Sequence, residues 1–162
     1  MMVVVGSGVV RARDVIRPGE AVGPVRIGMT GEELARAVGP GQALAWERSP
    51  MPSPGVDVRH YASRGFDVVL ATTGREPAVR CVLGGGMEAM ANRFRYRSAE
   101  GIGMGSTLDE IVAAWGEPER LREFAAAEAP VIEAAYPSRG ITLMLDAGRV
   151  NWLAVRAAEA AG

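Results

Sequence analysis

Residues 27–40 read IGMTGEELARAVGP, and residues 104–118 read MGSTLDEIVAAWGEP. The two stretches align when Gly28 is placed on Gly105, an offset of 105 − 28 = 77 positions. Self-similarity at a fixed offset marks a repeated structural unit, so the sequence predicts an internal duplication. The further matches at this offset are Thr30 with Thr107, Glu33 with Glu110, Leu34 with Ile111, and Gly39 with Gly116.

Each of the two stretches has the signals of a short helix with both ends defined. Thr30 and Thr107 are of the residue type that caps a helix, because a hydroxyl accepts a hydrogen bond from the first turn. A glutamate three residues later completes a capping box, and apolar residues then recur at i, i+4 along one stripe. Gly39 and Gly116 are expected in the left-handed conformation that ends a helix, and a proline prevents its continuation.

A second pair of matching stretches lies downstream, with YASRGFDVVL at residues 61–70 and YPSRGITLML at residues 136–145. Their offset is 140 − 65 = 75, and each predicts two strands joined by a tight Ser-Arg-Gly turn. Ile141, Leu143 and Leu145 alternate with Thr142 and Met144, so the apolar set is expected to face the helix and the other two the opposite side. Further strands are predicted at residues 43–47, 79–83, 121–124 and 150–155.

These elements predict an α+β fold made of two tandem repeats, each a helix packed on antiparallel strands. Side by side, the repeats would form one continuous sheet of about eight strands, with short helices on one face and the other face open. The predicted organisation is an N-terminal segment at residues 1–24, repeat one at residues 25–84, a connecting strand at residues 85–99 and repeat two at residues 100–162. Gly84–Gly86 is interpreted as the hinge between the repeats.

The Gly-x-x-Thr-x-x-Glu run that ends in Gly-Pro or Gly-x-Pro resembles the repeat of the secreted beta-lactamase inhibitor proteins. It is also similar to the helix-on-sheet fold of the small outer-membrane assembly lipoproteins and to uncharacterised bacterial domains of that plan. The resemblance covers most of residues 25–156 and implies binding of a protein partner, without catalysis, through the open sheet face. The chain departs from both families, since it has one cysteine, Cys81, and no N-terminal cysteine for acylation. Inhibition of a beta-lactamase is therefore not carried over.

Composition narrows the classes of partner. The chain has 162 residues and a net charge of −1, which gives no bulk attraction to nucleic acid or to an anionic membrane. No apolar run approaches the ~20 residues of a membrane helix. A single cysteine excludes an internal disulfide bond and favours a reducing compartment. We therefore expect a cytoplasmic protein that binds neither nucleic acid nor a membrane.

No pattern in the sequence predicts catalysis, a metal site or a cofactor. His60 is the only histidine, so a zinc site would need several carboxylates, and a Cys81–His60 nucleophile pair is the less favoured interpretation. Val3–Val10 weakly resembles a dinucleotide fingerprint, but Arg11 stands where a third small residue is needed. A short hairpin or a mobile terminus is the preferred interpretation there.

The candidate binding residues are Arg93, Arg95, Arg97, Met144 and Trp152. The three arginines alternate with two aromatic residues, which predicts a strand over residues 92–98 with the aromatic side chains in the core and the arginines on the open face. Trp152 is expected to turn outward at a β-bulge. Tryptophan and arginine commonly dominate binding energy, so the function predicted is interaction with a protein partner whose identity is unknown. The alternative is a small-ligand-binding or enzymatic domain that uses the cleft between the repeats.

Overall fold

A computed structural model describes the backbone at residues 2–5 and 8–11, and whole residues at 14–43 and 54–160. The helices are α1 (Gly31–Val38), α2 (Glu88–Arg93) and α3 (Leu108–Trp115). The strands are β1 (Met2–Val5), β2 (Gly8–Arg11), β3 (Val15–Arg17), β4 (Ala21–Val22), β5 (Val25–Arg26), β6 (Gln42–Ala43), β7 (Val56–Tyr61), β8 (Phe66–Ala71), β9 (Ala78–Gly85), β10 (Arg97–Ser98), β11 (Arg120–Phe124), β12 (Val131–Tyr136), β13 (Ile141–Asp146) and β14 (Arg149–Arg156).

The main feature of the fold is an eight-stranded antiparallel sheet in the order β11-β12-β13-β14-β9-β8-β7-β6. The predicted α+β class and the single large sheet are confirmed. The strands from residues 42–85 form one half and those from residues 120–156 the other, and the halves join where β9 pairs with β14. At this join Leu83 lies opposite Ala154, and Cys81 lies opposite Arg156.

One face of this sheet carries the main hydrophobic core. Leu34 of α1, Ile111 of α3 and Leu143 of β13 belong to the same buried cluster. A second sheet, in the order β10-β3-β4-β5, packs into it through Ile16, Val22 and Val25. The helices α1 and α3 therefore lie on the same side of the eight-stranded sheet, and Ile141, Leu143 and Leu145 face them as predicted.

Both predicted capping boxes are present. The Thr30 hydroxyl accepts a hydrogen bond from the Glu33 amide at 3.1 Å, and the Glu33 carboxylate accepts one from the Thr30 amide at 2.9 Å. Thr107 and Glu110 make the same two bonds at 3.3 and 2.9 Å. These bonds satisfy amides of the first turn that have no partner inside the helix, which fixes where α1 and α3 begin.

The helix ends differ from the prediction in one angle. Gly39 has φ 87° and ψ 178°, and Gly116 has φ 82° and ψ −176°. The positive φ was expected, but ψ near 180° places both residues in an extended region that only glycine occupies readily, rather than in the left-handed helical region. Left-handed helical geometry appears instead at Gly65 and Gly140, after the 3-10 turns Ala62–Arg64 and Pro137–Arg139 that connect the hairpin strands.

The predicted strand over residues 92–98 is wrong. Glu88–Arg93 form helix α2, residues 94–96 are irregular, and only Arg97–Ser98 are extended, as the edge strand of the four-stranded sheet. Phe94 and Tyr96 are buried in the core as predicted, with ring centroids 5.2 Å apart. Alternation of apolar and charged residues over so short a segment does not specify a strand. The same pattern fits the end of a helix followed by irregular backbone, which is the structure observed.

Two smaller predictions about connections also change. Gly84 and Gly85 lie within β9 and pair with β14, so they are part of the sheet and not a hinge. A Cβ atom added at Gly84 would lie 2.5 Å from the Phe94 ring, so the close packing of this ring accounts for the glycine.

The first strand predicted at residues 43–47 begins one residue earlier, at Gln42, and residues 44–47 lie outside the described part of the chain. The N-terminal strands β1 and β2 form a short antiparallel hairpin, as preferred from the sequence.

Candidate functional site

The face of the large sheet opposite the helices carries a second hydrophobic cluster. Val58, Val69, Leu83 and Ala154 form it, and each is at most 8% exposed. These residues come from four different strands, β7, β8, β9 and β14, and none of the described members of the cluster belongs to a helix. We call this surface the open face.

Alternation along the strands explains why these residues share the open face. Val69 lies between Val68 and Leu70, which point to the core, and Leu83 follows Val82 in the same way. Strands that are apolar on both sides appear in sequence as continuous hydrophobic runs, here VVL at residues 68–70 and VL at residues 82–83. These continuous runs are visible in the sequence. The prediction used only the alternating residues and therefore did not identify the second apolar face.

A trough of about 910 Å³ lies on the open face, centred where β9 meets β14. Its floor contains Val69, Leu83 and Ala154, which are buried within the sheet yet line the trough. Met144 and Trp152 form part of its wall. A concave, largely apolar surface of this volume is in the size range of small-molecule sites, and it also suits an inserted side chain of a protein.

Trp152 reaches the open face because of a β-bulge. Between β13 and β14, Met144 pairs with Trp152 and Leu145 pairs with Val150, which leaves Asn151 without a register partner on β13. The extra residue changes the alternation, so Val150, Leu153 and Val155 point to the core while Trp152 packs on the open-face cluster. The predicted outward turn of Trp152 at a bulge is confirmed, and so is the position of Thr142 and Met144 on the same face.

Charged residues stand around the apolar floor of the trough. Three arginines and one glutamate line it, a net charge of 3 − 1 = +2: Arg80, Arg120, Arg156 and Glu133. Arg120 forms an ion pair with Glu133 at 3.3 Å, and Arg156 forms one with Glu159 at 3.2 Å. Arg80 is exposed and has no hydrogen bond or ion pair with any residue in the described part of the chain.

Cys81 lines the trough beside these arginines. Burial raises the pKa of its thiol to about 11, and the nearby charge of Arg156 offsets part of that rise. At neutral pH the side chain is therefore a thiol and not a thiolate, and it has little nucleophilic character.

His60 and Cys81 lie on strands that are not neighbours in the sheet. Its Nδ1 atom lies 2.5 Å from an Asp67 carboxylate oxygen, its register partner on β8. β8 separates the strand of His60 from the strand of Cys81, which places the two side chains roughly 10 Å apart or more. The nucleophile pair considered from the sequence is thus outside hydrogen-bond reach. Within the described residues, no group of three histidine, cysteine or acidic side chains is arranged to hold a metal ion.

The structure separates the predicted binding residues into two groups. Met144 and Trp152 line the trough, whereas Arg93, Arg95 and Arg97 do not lie on the large sheet at all. Arg93 ends α2 and donates to the Ala62 carbonyl at 3.4 Å. Arg97 donates to the carbonyls of Gly101 and Met104 at 2.8 and 2.9 Å, so it holds the loop before α3. The arginines that do stand beside the trough, Arg80, Arg120 and Arg156, were not selected from the sequence.

Comparisons with known proteins find one similar solved structure and no similar family or curated protein. Among solved structures, the chain is similar to a DUF4309 family protein (YjgB) from Bacillus subtilis, with 13% sequence identity and a TM-score of 0.45. The similarity covers 86% of this chain and 88% of that one. Among the described residues, no helix is long and apolar enough to cross a bilayer.

Proposed function

We propose that this chain is a non-catalytic interaction module that binds a protein partner through its open face. The observation that supports the proposal is the second hydrophobic cluster, which places an apolar trough on the side of the sheet opposite the helices. A concave, largely apolar site with a few polar groups at its edge commonly marks a binding site. The side chains around this trough include tryptophan, methionine and arginine, the types that are enriched in interface cores.

The resemblance to the beta-lactamase inhibitor proteins and the assembly lipoproteins implies the same mode of binding, through a sheet face. Under this proposal Cys81 and His60 have no catalytic role. The high thiol pKa of Cys81 and the separation of the two residues agree with that view.

The proposal includes an internal duplication, with residues 25–84 and 100–156 as two copies of one unit. Several matched details support it beyond the sequence. The β8–β9 pair has a bulge at Val69/Leu70, and the β13–β14 pair has one at Met144/Leu145, 144 − 69 = 75 positions later. Gly28 bonds to the Val79 carbonyl, and Gly105 bonds to the Val150 carbonyl, both at 2.8 Å. Joined along β9 and β14, the two copies would place the trough at their junction.

The test is quantitative affinity purification of the tagged protein from its own cells, with four versions of the chain compared. We expect a partner that is recovered with the unmodified chain and depleted with Trp152→Ala or Met144→Glu. The matched control is Arg95→Ala, because Arg95 is exposed and lies outside the trough.

Recovery that survives both open-face substitutions but fails with Arg95→Ala would move the binding site to the arginine group and contradict the open-face proposal. Circular dichroism of each variant checks that the fold is retained.

A second candidate function is binding of a small ligand in the trough itself. The trough volume favours it, because drug-sized ligands occupy sites of roughly 300–1,000 Å³. An added small molecule that competes with the protein partner would show that both use the same surface.

A further inference from the structure

We propose that the trough is a binding site for a small amphipathic anion, whose apolar body lies on the open-face floor and whose carboxylate pairs with Arg80 and Arg156. The inference deepens the small-ligand alternative and rests on it. It does not require that a protein also docks on the open face.

The cationic end of the site is formed by two arginines on either side of Cys81. Arg80 precedes Cys81 in the chain, and Arg156 is its register partner on β14. Both arginines line the trough. Arg80 has no ion-pair partner among the described residues. Arg156 pairs with Glu159, whose side chain is 60% exposed, and exposed ion pairs of this kind are weak. Two guanidinium groups at one end of an apolar surface form a site for a carboxylate, since arginine matches its two oxygens with paired donors.

The apolar part of the site extends away from these arginines along β14. Ala154 and Trp152 follow on the same face as Arg156, and Leu83 lies opposite Ala154 on β9. Arg156 and Trp152 are 156 − 152 = 4 positions apart, which spans roughly 13 Å in a strand. The extended chain of decanoate matches this length. The other trough arginine, Arg120, is paired with the less exposed Glu133, so the second end of the trough is closer to neutral.

The lining carries a net charge of +2, and Glu159 pairs with Arg156 beside it, which leaves 2 − 1 = +1 and favours an anionic ligand over a neutral or cationic one. A neutral amphiphile would gain the apolar contact alone, and a cationic one would place its charge against two guanidinium groups. Charge complementarity therefore selects the anion, while the floor of Leu83 and Ala154 selects an apolar chain.

The experiment is a titration of the full chain with decanoate and with decyltrimethylammonium, each below its micelle concentration, by calorimetry and by tryptophan fluorescence. We expect saturable binding of decanoate at one site per chain and about tenfold or more weaker binding of the cation, since the paired charge contact is lost. The fluorescence change is expected to disappear in Trp152→Phe, because that residue lies on the trough wall.

Two variants test the two halves of the site. Arg80→Gln/Arg156→Gln should weaken decanoate binding by about tenfold or more. Ala154→Leu should abolish it by filling the floor. The matched control Arg95→Gln removes one positive charge outside the trough and should leave the affinity unchanged.

Equal affinity for the two amphiphiles, or affinity that survives both trough variants, would overturn the inference. Absence of any saturable binding would also overturn it, but would leave the protein-partner proposal intact, because that proposal is judged by the affinity purification.

Discussion

The hydroxyl of Tyr136 donates a hydrogen bond of 2.8 Å to the carbonyl oxygen of Gly116, the residue at which α3 ends. Tyr61 makes the corresponding bond of 2.9 Å to Gly39, at the end of α1. In both places the last residue of a sheet strand holds the end of a helix onto the sheet. The bond satisfies a carbonyl that has no partner inside the helix, so it anchors each helix by its C-terminus.

Tyr136→Phe removes this bond while it keeps the ring, which packs edge-on against Trp115 at a centroid distance of 5.6 Å. We expect a loss of about 1 kcal/mol in the free energy of unfolding, since Gly116 is exposed and water can replace the hydroxyl. Tyr61→Phe should cost a similar amount. Urea denaturation of the two variants measures both values, and a loss above about 3 kcal/mol would show that the bond has a larger role.

Gly116→Val should destabilise the chain through its backbone and not through a steric clash. An added Cβ atom at Gly116 would meet no heavy atom within 4 Å, but φ 82° with ψ −176° is a conformation that side chains disfavour strongly. The expected cost is about 1–3 kcal/mol in the free energy of unfolding. Gly74→Ala is the matched control, because Gly74 is exposed and has no positive φ. An unchanged melting temperature for Gly116→Val would contradict the argument.

The parts of the fold that the sequence predicted well are those governed by local rules. A threonine followed three residues later by glutamate specified the starts of α1 and α3, and the alternation of Ile141, Leu143 and Leu145 specified which side of β13 faces the core. These patterns need only neighbouring residues to take effect, so they can be recognised before the tertiary structure is known.

The candidate site depended on pairings that no local pattern encodes. Arg156 became part of the trough because β14 pairs with β9 and places it opposite Cys81. Arg97 lies away from the predicted surface because its segment pairs with β3 in the smaller sheet. The register between distant strands decides both cases, and a single sequence does not specify it where the strand is short.

The stability of the chain should depend on pH through Cys81. Its folded-state pKa is raised to about 11, so the contribution of this thiol is fully present below its ordinary pKa and is lost as the pH rises through about 11. We expect the free energy of unfolding of the unmodified chain, relative to that of Cys81→Ala, to fall as the pH rises from the ordinary pKa of a thiol to about 11. The tyrosines ionise in both proteins, so their effect cancels in the comparison.

The same pKa predicts slow alkylation of Cys81. At pH 8 the folded chain should react with iodoacetamide roughly a hundredfold more slowly than the chain in urea, because the thiolate fraction falls tenfold for each unit of pKa. Mass spectrometry of timed samples measures the rates. Equal rates in the two states would indicate a thiol of ordinary pKa and would weaken the non-catalytic interpretation.

The last prediction compares two tryptophans that lie on opposite faces of one sheet. Trp115 is 8% exposed and belongs to the main core beneath α3, whereas Trp152 packs only on the open-face cluster. Trp115→Ala should therefore cost about 3–5 kcal/mol in the free energy of unfolding, as removal of a buried aromatic side chain usually does. Trp152→Ala should cost about 1 kcal/mol, because its ring borders the trough and leaves no enclosed cavity when it is removed. Its larger effect should be on binding, with a loss of about 2 kcal/mol or more if the partner inserts beside it. Denaturation of both variants, followed by recovery of the partner with Trp152→Ala, separates the two roles. Equal destabilisation by the two substitutions would show that Trp152 is a core residue, and the open face would then lose its main binding candidate.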